Sequence, residues 1–518
     1  MRLPGGALSP PPLHGHSDDL ELHATECSSS TSMRKRRLVL FPCPYLQGHI
    51  NPMLQLATLL HSKGFSITII HTRFNSPNPS DYPHFHFVPI SSPGSDTDQF
   101  HLRHSTSDIV AFISAINVEF VSPFRDCLIR LLSSSSLPSS QPDTNDDTFN
   151  DTDKDGDSIT CVITDALMHF TQDVADNLRI PRIVLRSSSP TSFVAFTAYP
   201  LLLHKGYLPI QDSELEKLVP ELSPLKVKDL PTAKTKDPQL LYELVIQMIE
   251  RTKSSSGLIF NSFESLEHPA LDTIRRDFRG VPIFPVGPFH KWSPASSSSI
   301  LTEDQSCIPW LDKQAPKSVI YVSFGSLADM EETELVETAW GLANSGHAFL
   351  WVVRPGLVRS SSSSTVEHLL PDGFQEMIRS TGNRGCLVKW APQEQVLAHP
   401  AVGGFWTHNG WNSTLESVCE GVPMLCRPCF GDQMVNARYV SDVWKVGFQF
   451  DGTRRSLERG DVERAVKRLM RDADIVEHDH EAMMTRVQDL KEKADNSLRK
   501  GGSSLESVEK LIDLIMSF

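Results

Sequence analysis

The stretch from Arg36 to Thr72 constrains the fold more than any other. "RRLVLFPCP" is an apolar run of strand length, followed by a polar turn with Gly48 and His49. "NPMLQLATLLHSKG" then carries apolar residues at helical spacing, with Asn51 as the expected N-cap, Pro52 at the first helical position and Gly64 as C-cap. "FSITIIHT" is a second strand-like run. Strand, helix and strand in this order predict a β-α-β unit and hence a parallel sheet.

The same alternation continues. "ITCVITD", "RIVLRSS", "GLIFNS" and "VPIFPVG" read as further strands of a first series. A Pro/Ser-rich stretch follows, and "SVIYVSFGS", "AFLWVV", "CLVKWAP", "VGGFWTH" and "VPMLCRP" form a second series. A chain of 518 residues is too long for one core. The expectation is an α/β protein with two doubly wound domains facing each other across a cleft. The domains are placed at 34–287 and 302–500, joined by a linker at 288–301. Residues 1–33 read as a disordered extension, and an acidic loop at 133–158 is also expected to be disordered. The tail 501–518 reads as an amphipathic helix packing back toward the first domain.

Charge narrows the partners. The net charge of -14 argues against nucleic acid and anionic membrane surfaces. Much of that charge is local, because Asp143 to Asp157 holds seven Asp against one Lys. Its "DTDKDGD" imitates the start of a calcium-binding loop, but the twelfth position is Val162, inside a strand. No apolar run reaches the roughly 18 residues of a membrane span. Nine cysteines without framework spacing fit a reducing cytoplasm, and Cys426 and Cys429 form a lone pair with no second pair to complete a zinc site. A monomer is expected.

"FWTHNGWNSTLES", Phe405 to Ser417, is a strand that ends in a polar knot at the mouth of a helix. The first N–H groups of a helix lack partners and its dipole is positive there, so such a junction suits an anion. Asn412 and Ser413 are expected to cap the helix, with Glu416 completing a box-like pattern; His408 aims at the same point. Trp390 and Gln393 lie upstream, Asp432 and Gln433 downstream, each near a strand end. Loops at the carboxyl ends of parallel strands line one crevice. A ring to stack a base, a helix mouth for a diphosphate and a carboxylate-amide pair for hydroxyls make a nucleotide-sugar site. An ordinary cap beside a buried Trp is the plainer reading of the knot alone.

A histidine suits proton transfer near neutral pH, and a carboxylate can fix its tautomer. His49 lies in the turn after the first strand and Asp165 ends "CVITD", so both could meet at one rim. Taken alone, His49 reads as a structural turn residue and Asp165 as a helix cap.

The stretch from Trp390 to Gln433 resembles the donor motif of plant UDP-dependent glycosyltransferases, and the resemblance runs from about Arg36 through "QGHINPMLQLA", "CVITDAL", "GLIFNSFESLE", "YVSFGS", "FLWVVRPG" and "KGGSSLESVEKL". It is similar to the subfamily with steviol-glycoside, cytokinin and iridoid glucosyltransferases. The resemblance implies the GT-B fold, two Rossmann-like domains, with acceptor bound mainly by the first and UDP-sugar by the second. It implies that Trp390 stacks the uracil, with the Ala391 backbone at its edge. Gln393 and Glu416 would hold the ribose, and His408, Asn412, Ser413 and Ser326 the diphosphate. Trp411, Asp432 and Gln433 would contact the sugar, with Gln433 pointing to glucose. His49 becomes the base and Asp165 its partner, and Ser187 falls near the sugar. Asn409 replaces a Cys or Ser of many relatives and is not expected to be critical. Met168 and His169 depart from the relatives' aromatics, so they reshape the acceptor pocket or merely pack in the core.

The implied reaction is an inverting transfer of glucose from UDP-glucose to a hydroxyl (or carboxyl or N) group of a small plant metabolite such as a terpenoid, iridoid, phenolic or hormone, giving a β-glucoside and UDP, with no metal or other cofactor. The rival reading is a non-catalytic nucleotide-sugar or small-ligand binder on the same fold. A nicotinamide-dependent oxidoreductase would need a Gly-x-Gly-x-x-Gly turn, which "PCPYLQGHINP" does not supply.

Overall fold

Continuous apolar runs become strands buried on both faces, and the chain carries two all-parallel sheets of them. The computed structural model describes residues 36–73, 76–92, 108–134, 158–233, 235–292, 302–358, 370–382, 384–450, 457–470 and 477–518. The extension 1–33 and the imitation calcium loop Asp151–Asp157 lie outside them.

The first sheet contains β1 (Arg37–Phe41), β2 (Ser66–Thr72), β3 (Phe85–Ile90), β4 (Ile159–Asp165), β5 (Arg182–Arg186), β6 (Gly257–Phe260) and β7 (Ile283–Pro285), in the order β3-β2-β1-β4-β5-β6-β7. The second contains β8 (Val319–Ser323), β9 (Ala348–Val352), β10 (Gly385–Val388), β11 (Val402–Thr407), β12 (Met424–Cys426) and β13 (Gly447–Gln449), in the order β10-β9-β8-β11-β12-β13. The winding reverses between β1 and β4 in one sheet and between β8 and β11 in the other. At such switch points the loops leaving the strands part, and a crevice opens. The two crevices hold the residues that matter below.

Side chains alternate across β1. Leu38 and Leu40 enter one core layer; Val39 and Phe41 enter the other. The C-terminal helix Ser503–Met516 closes the first layer with the buried side chains Val508, Leu511 and Ile515. Each such burial is worth at most about 1.5–3 kcal/mol. Two hydrogen bonds tie this helix to the first domain: the Ser504 hydroxyl donates to the Gly287 carbonyl at 2.6 Å, and Arg36 Nη1 to that of Ile515 at 3.2 Å.

Three sequence expectations shift. The helix after β1 is Gln47–Ser62, so Asn51 is not its N-cap, Pro52 is an interior residue and His49 lies in the first turn rather than in a loop. Edge strands β3 and β13 carry weak signals: β3 contains Pro89, which an edge tolerates, and β13 has three residues. Phe289 is buried in the first core inside the short helix Phe289–Lys291, so the expected linker start belongs to the first domain.

Candidate active site

His49 and Asp165 meet where β1 and β4 part. His49 Nδ1 lies 2.8 Å from Asp165 Oδ2, and Asp165 is buried. The Leu167 N–H donates to Asp165 Oδ1 at 2.9 Å, which fixes the carboxylate. The Ser187 hydroxyl also lies 2.8 Å from Nδ1. A carboxylate only accepts, so the network assigns the proton to Nδ1 and leaves the Nε2 lone pair for a reacting group.

The helix mouth opposite is built differently from a capped helix. The helix runs Trp411–Glu420 with Gly410 at its N-cap position and no side-chain cap. The expected caps are engaged elsewhere. Gln393 Nε2 donates to Ser413 Oγ at 2.9 Å and to Glu416 Oε2 at 2.7 Å. Asn412 Nδ2 donates to the Gly48 carbonyl of the first domain at 3.0 Å. That carbonyl is available because its helical partner four residues on is Pro52, which has no N–H. With no side chain over it, the helix start retains its capacity for an anion.

Asn409 turns the strand into this helix with φ +61°, a left-handed conformation that Asn tolerates well. It is fully buried, and its carbonyl accepts from Asn436 Nδ2 at 3.0 Å. Its conformational part was not legible from the motif. His408 packs so tightly that a Cβ on Gly325 or Gly410 would come within 2.6 or 2.5 Å of its ring. Burial, then the Arg354 charge, holds His408 down to about 4, so its imidazole is neutral at physiological pH. Arg354 also braces the turn around Ser326 by donating to the Gly325 carbonyl at 2.7 Å and to that of Ala328. Glu416 is held above the usual carboxylate range by burial and by Glu394 nearby.

At the other end of the site, Gln433 Oε1 accepts from the Cys429 and Phe430 N–H groups at 2.9 and 3.2 Å. Gln433 lines the cavity, and these bonds leave its amide NH2 unused. Asp432 Oδ2 accepts from Asn436 Nδ2 at 3.2 Å, and burial raises its carboxyl. The Trp411 indole N–H donates to the Asn261 carbonyl at 2.7 Å, so its indole N–H is already engaged where the residue lines the cavity. His49, Ser326, Trp390, Ala391, Gln393, His408, Trp411, Asn412, Ser413, Glu416, Asp432 and Gln433 all line one cavity of about 450 Å³, and Asp165 stands behind His49.

On the first-domain side the wall is mostly apolar, with Ile113, Phe196, Leu244 and Val245 among its residues. Met168 is fully buried in the core, so it packs rather than shaping the pocket; its neighbour Leu167 lines the cavity instead. Burial, then Arg182 and Arg251, lowers His169 to about 4. Cys426 and Cys429 join no cluster of three or more possible metal ligands among the described residues. The one such cluster there, Glu264, His268 and Asp272, lies on a helix surface, where Arg275 already bonds Glu264 and Asp272.

The chain is similar to known proteins along nearly its whole length. Residues 301–485 match the family described as UDP-glucoronosyl and UDP-glucosyl transferase. The chain is 45% identical over 488 residues to UDP-glycosyltransferase 76B1 of Arabidopsis thaliana, covering 94% of this chain and 100% of the relative. It is 44% identical over 492 residues to UDP-glycosyltransferase 76G1 of Stevia rebaudiana, covering 95% and 99%. The structure of Phytolacca americana UGT2 complexed with UDP-2fluoro-glucose and pterostilbene superposes with a TM-score of 0.72 at 27% identity, covering 93% of this chain and 100% of that one.

Proposed function

This chain belongs to the plant UDP-dependent glycosyltransferases and is a hexosyltransferase of GT-B fold, and from that premise we propose that it moves glucose from UDP-glucose to a hydroxyl of a small metabolite, with inversion. One observation carries the reading. A histidine-carboxylate pair with its Nε2 lone pair unassigned shares a cavity with an uncapped helix mouth from the other domain.

In the proposed reaction the acceptor O–H loses its proton to His49 Nε2. Its oxygen forms the new bond to the anomeric carbon, and the bond from that carbon to the diphosphate oxygen breaks with its electron pair. Asp165 stabilises the imidazolium without taking the proton. The charge developing on the diphosphate meets the first N–H groups of the helix at Trp411, the Ser413 hydroxyl and the neutral His408 ring. Trp390 and Ala391 take the uracil, Gln393 and Glu416 the ribose, and Ser326 a phosphate oxygen. Asp432 and the free amide of Gln433 read sugar hydroxyls, which is the ground for glucose as the donor sugar. The apolar wall suits a terpenoid, iridoid, phenolic or hormone-like acceptor.

His49→Ala tests this. Single-turnover transfer should fall about 10²–10⁴-fold, while calorimetric UDP affinity is kept, because the uracil, ribose and diphosphate contacts lie in the other domain. Transfer at the wild-type rate would overturn the base assignment. In competition among UDP-glucose, UDP-galactose and UDP-xylose, preference for either of the latter two would overturn the donor.

A further inference from the structure

Four arginines are buried among the described residues: Arg182, Arg186, Arg354 and Arg438. Three are satisfied by oxygen. Arg182 donates to Thr164 Oγ1 at 2.8 Å and Gln172 Oε1 at 3.1 Å. Arg354 holds backbone carbonyls, and Arg438 grips the Asp229 carboxylate at 2.7 and 3.1 Å. Arg186 differs. It is 5% exposed, yet it lines the same cavity as His49. Its Nε donates to the Ser188 hydroxyl at 2.7 Å, and its Nη1 meets only the Met248 thioether, a weak acceptor. The guanidinium lies over the Phe193 and Phe196 rings, 5.3 and 5.1 Å from their centroids. Among the described residues no carboxylate is within ion-pair distance of it; Asp165 and Asp432 act on it only from farther away.

A buried charge without a direct counter-ion is costly, and truncating or neutralising it would be the ordinary remedy. Burial lowers Arg186 only to about 10, so it remains a cation at neutral pH. Five donors in a planar fork are more than Ser188 and Met248 use. The cavity wall around it is apolar, with Phe196, Val245 and Met248 at hand. Arg186 is also next in sequence to Ser187, whose hydroxyl touches the proposed base.

Building on the proposed transfer reaction, we infer that Arg186 is an anion subsite of the acceptor pocket and that the acceptor is a compact hydroxy acid. Its carboxylate docks on the guanidinium fork while its hydroxyl faces His49. A planar carboxylate matches the fork. A single guanidinium balances one charge, so a dianionic phosphate would leave a net charge against an apolar wall.

The test is a set of matched pairs: the three hydroxybenzoates and their methyl esters. Each is assayed for transfer from UDP-glucose and titrated calorimetrically into UDP-saturated enzyme. For wild type, at least one acid should exceed its own ester about tenfold or more in kcat/KM and in affinity, as a charge-assisted hydrogen bond implies. Arg186→Met should bring that pair to parity or reverse it, and Arg186→Lys should retain part of the preference. If every ester equals or exceeds its acid in wild type, the subsite is wrong, whether or not either variant folds. If esters and a neutral phenol are glucosylated in a His49-dependent manner while the acids are rejected, the inference falls and the transfer reaction stands. If His49→Ala transfers as well as wild type, the base falls, and the acid-to-ester affinity ratio still decides Arg186.

Discussion

Arg438→Met should loosen the contact between the two domains beside the cleft. Arg438 ends the helix Gln433–Arg438, which begins with the proposed sugar-reading residues. It donates from Nε and Nη2 to Asp229, and both side chains are under 10% exposed, at 9% and 5%. Asp229 in turn accepts the Lys226 N–H at 2.8 Å, and so shapes the turn that leads to Pro231, Thr232 and Ala233 on the first-domain side of the cavity. The Gly431 N–H donates to the Thr232 carbonyl at 2.6 Å beside it. Replacing Arg438 leaves the Asp229 carboxylate buried with one backbone donor. Breaking such a pair costs about 3–5 kcal/mol. The second partner, Asp442, is 47% exposed and adds little. For domains of this size the loss corresponds to a fall of about 6–20 °C in Tm. Denaturant titrations of Arg438→Met, Asp229→Asn and the double variant measure the coupling. The double variant should regain part of the loss, because no unpaired charge remains. In kinetics the acceptor KM should rise while UDP affinity changes less than about twofold. A cost under about 1 kcal/mol, or additive single variants, would show that the pair does not hold the cleft.

Further outcomes follow from the same geometry. Pro52→Ala gives the Gly48 carbonyl a helical partner and releases Asn412; Tm should rise while kcat falls, and a kcat within about twofold of wild type would refute the link. For pH, His408 is held at about 4 against an ordinary 6.5, so the unfolded chain binds more protons between those values. Its share of stability is complete above pH 6.5 and is lost as pH falls toward 4. His408→Gln should therefore lose about 1–2 kcal/mol less than wild type between pH 7.5 and pH 5 in urea titrations; an equal acid loss in both proteins would contradict this. Because helix N–H groups and side chains meet the diphosphate in the proposed scheme, excess EDTA should leave transfer unchanged, and a loss restored by a divalent cation would overturn that part.

The fold was legible where periodicity is strong. β1, β2 and the helix between them follow from apolar runs and helical spacing, and the two strand series follow from the same pattern, whereas the strand order that sets the two switch points comes only from the structure. The misreadings have long-range causes. Asn-Pro at 51–52 looks like a helix start, but the helix begins earlier, and the missing Pro52 N–H is used to free Gly48 for the other domain. Asn412, Ser413 and Glu416 read as local caps, yet their partners are Gly48 and Gln393, far away in sequence. Nothing in the strand run "RIVLRSS" singles out Arg186. Only the fold shows that no carboxylate sits within ion-pair distance of it among the described residues.

The stretch Trp390–Gln433 also ties the two domains together. Trp411 donates to the Asn261 carbonyl, Asn412 to that of Gly48 and Gly431 to that of Thr232. Each of these three acceptors is a backbone oxygen of the first domain, whereas Asp229, Gln55 and Ser189 meet the second domain through their side chains. The same contacts hold the helix mouth in one cavity with His49. Substitutions at Trp411 or Asn412 should then reduce kcat through misplacement as well as weakening donor binding, which is the kinetic pattern expected when orientation is lost.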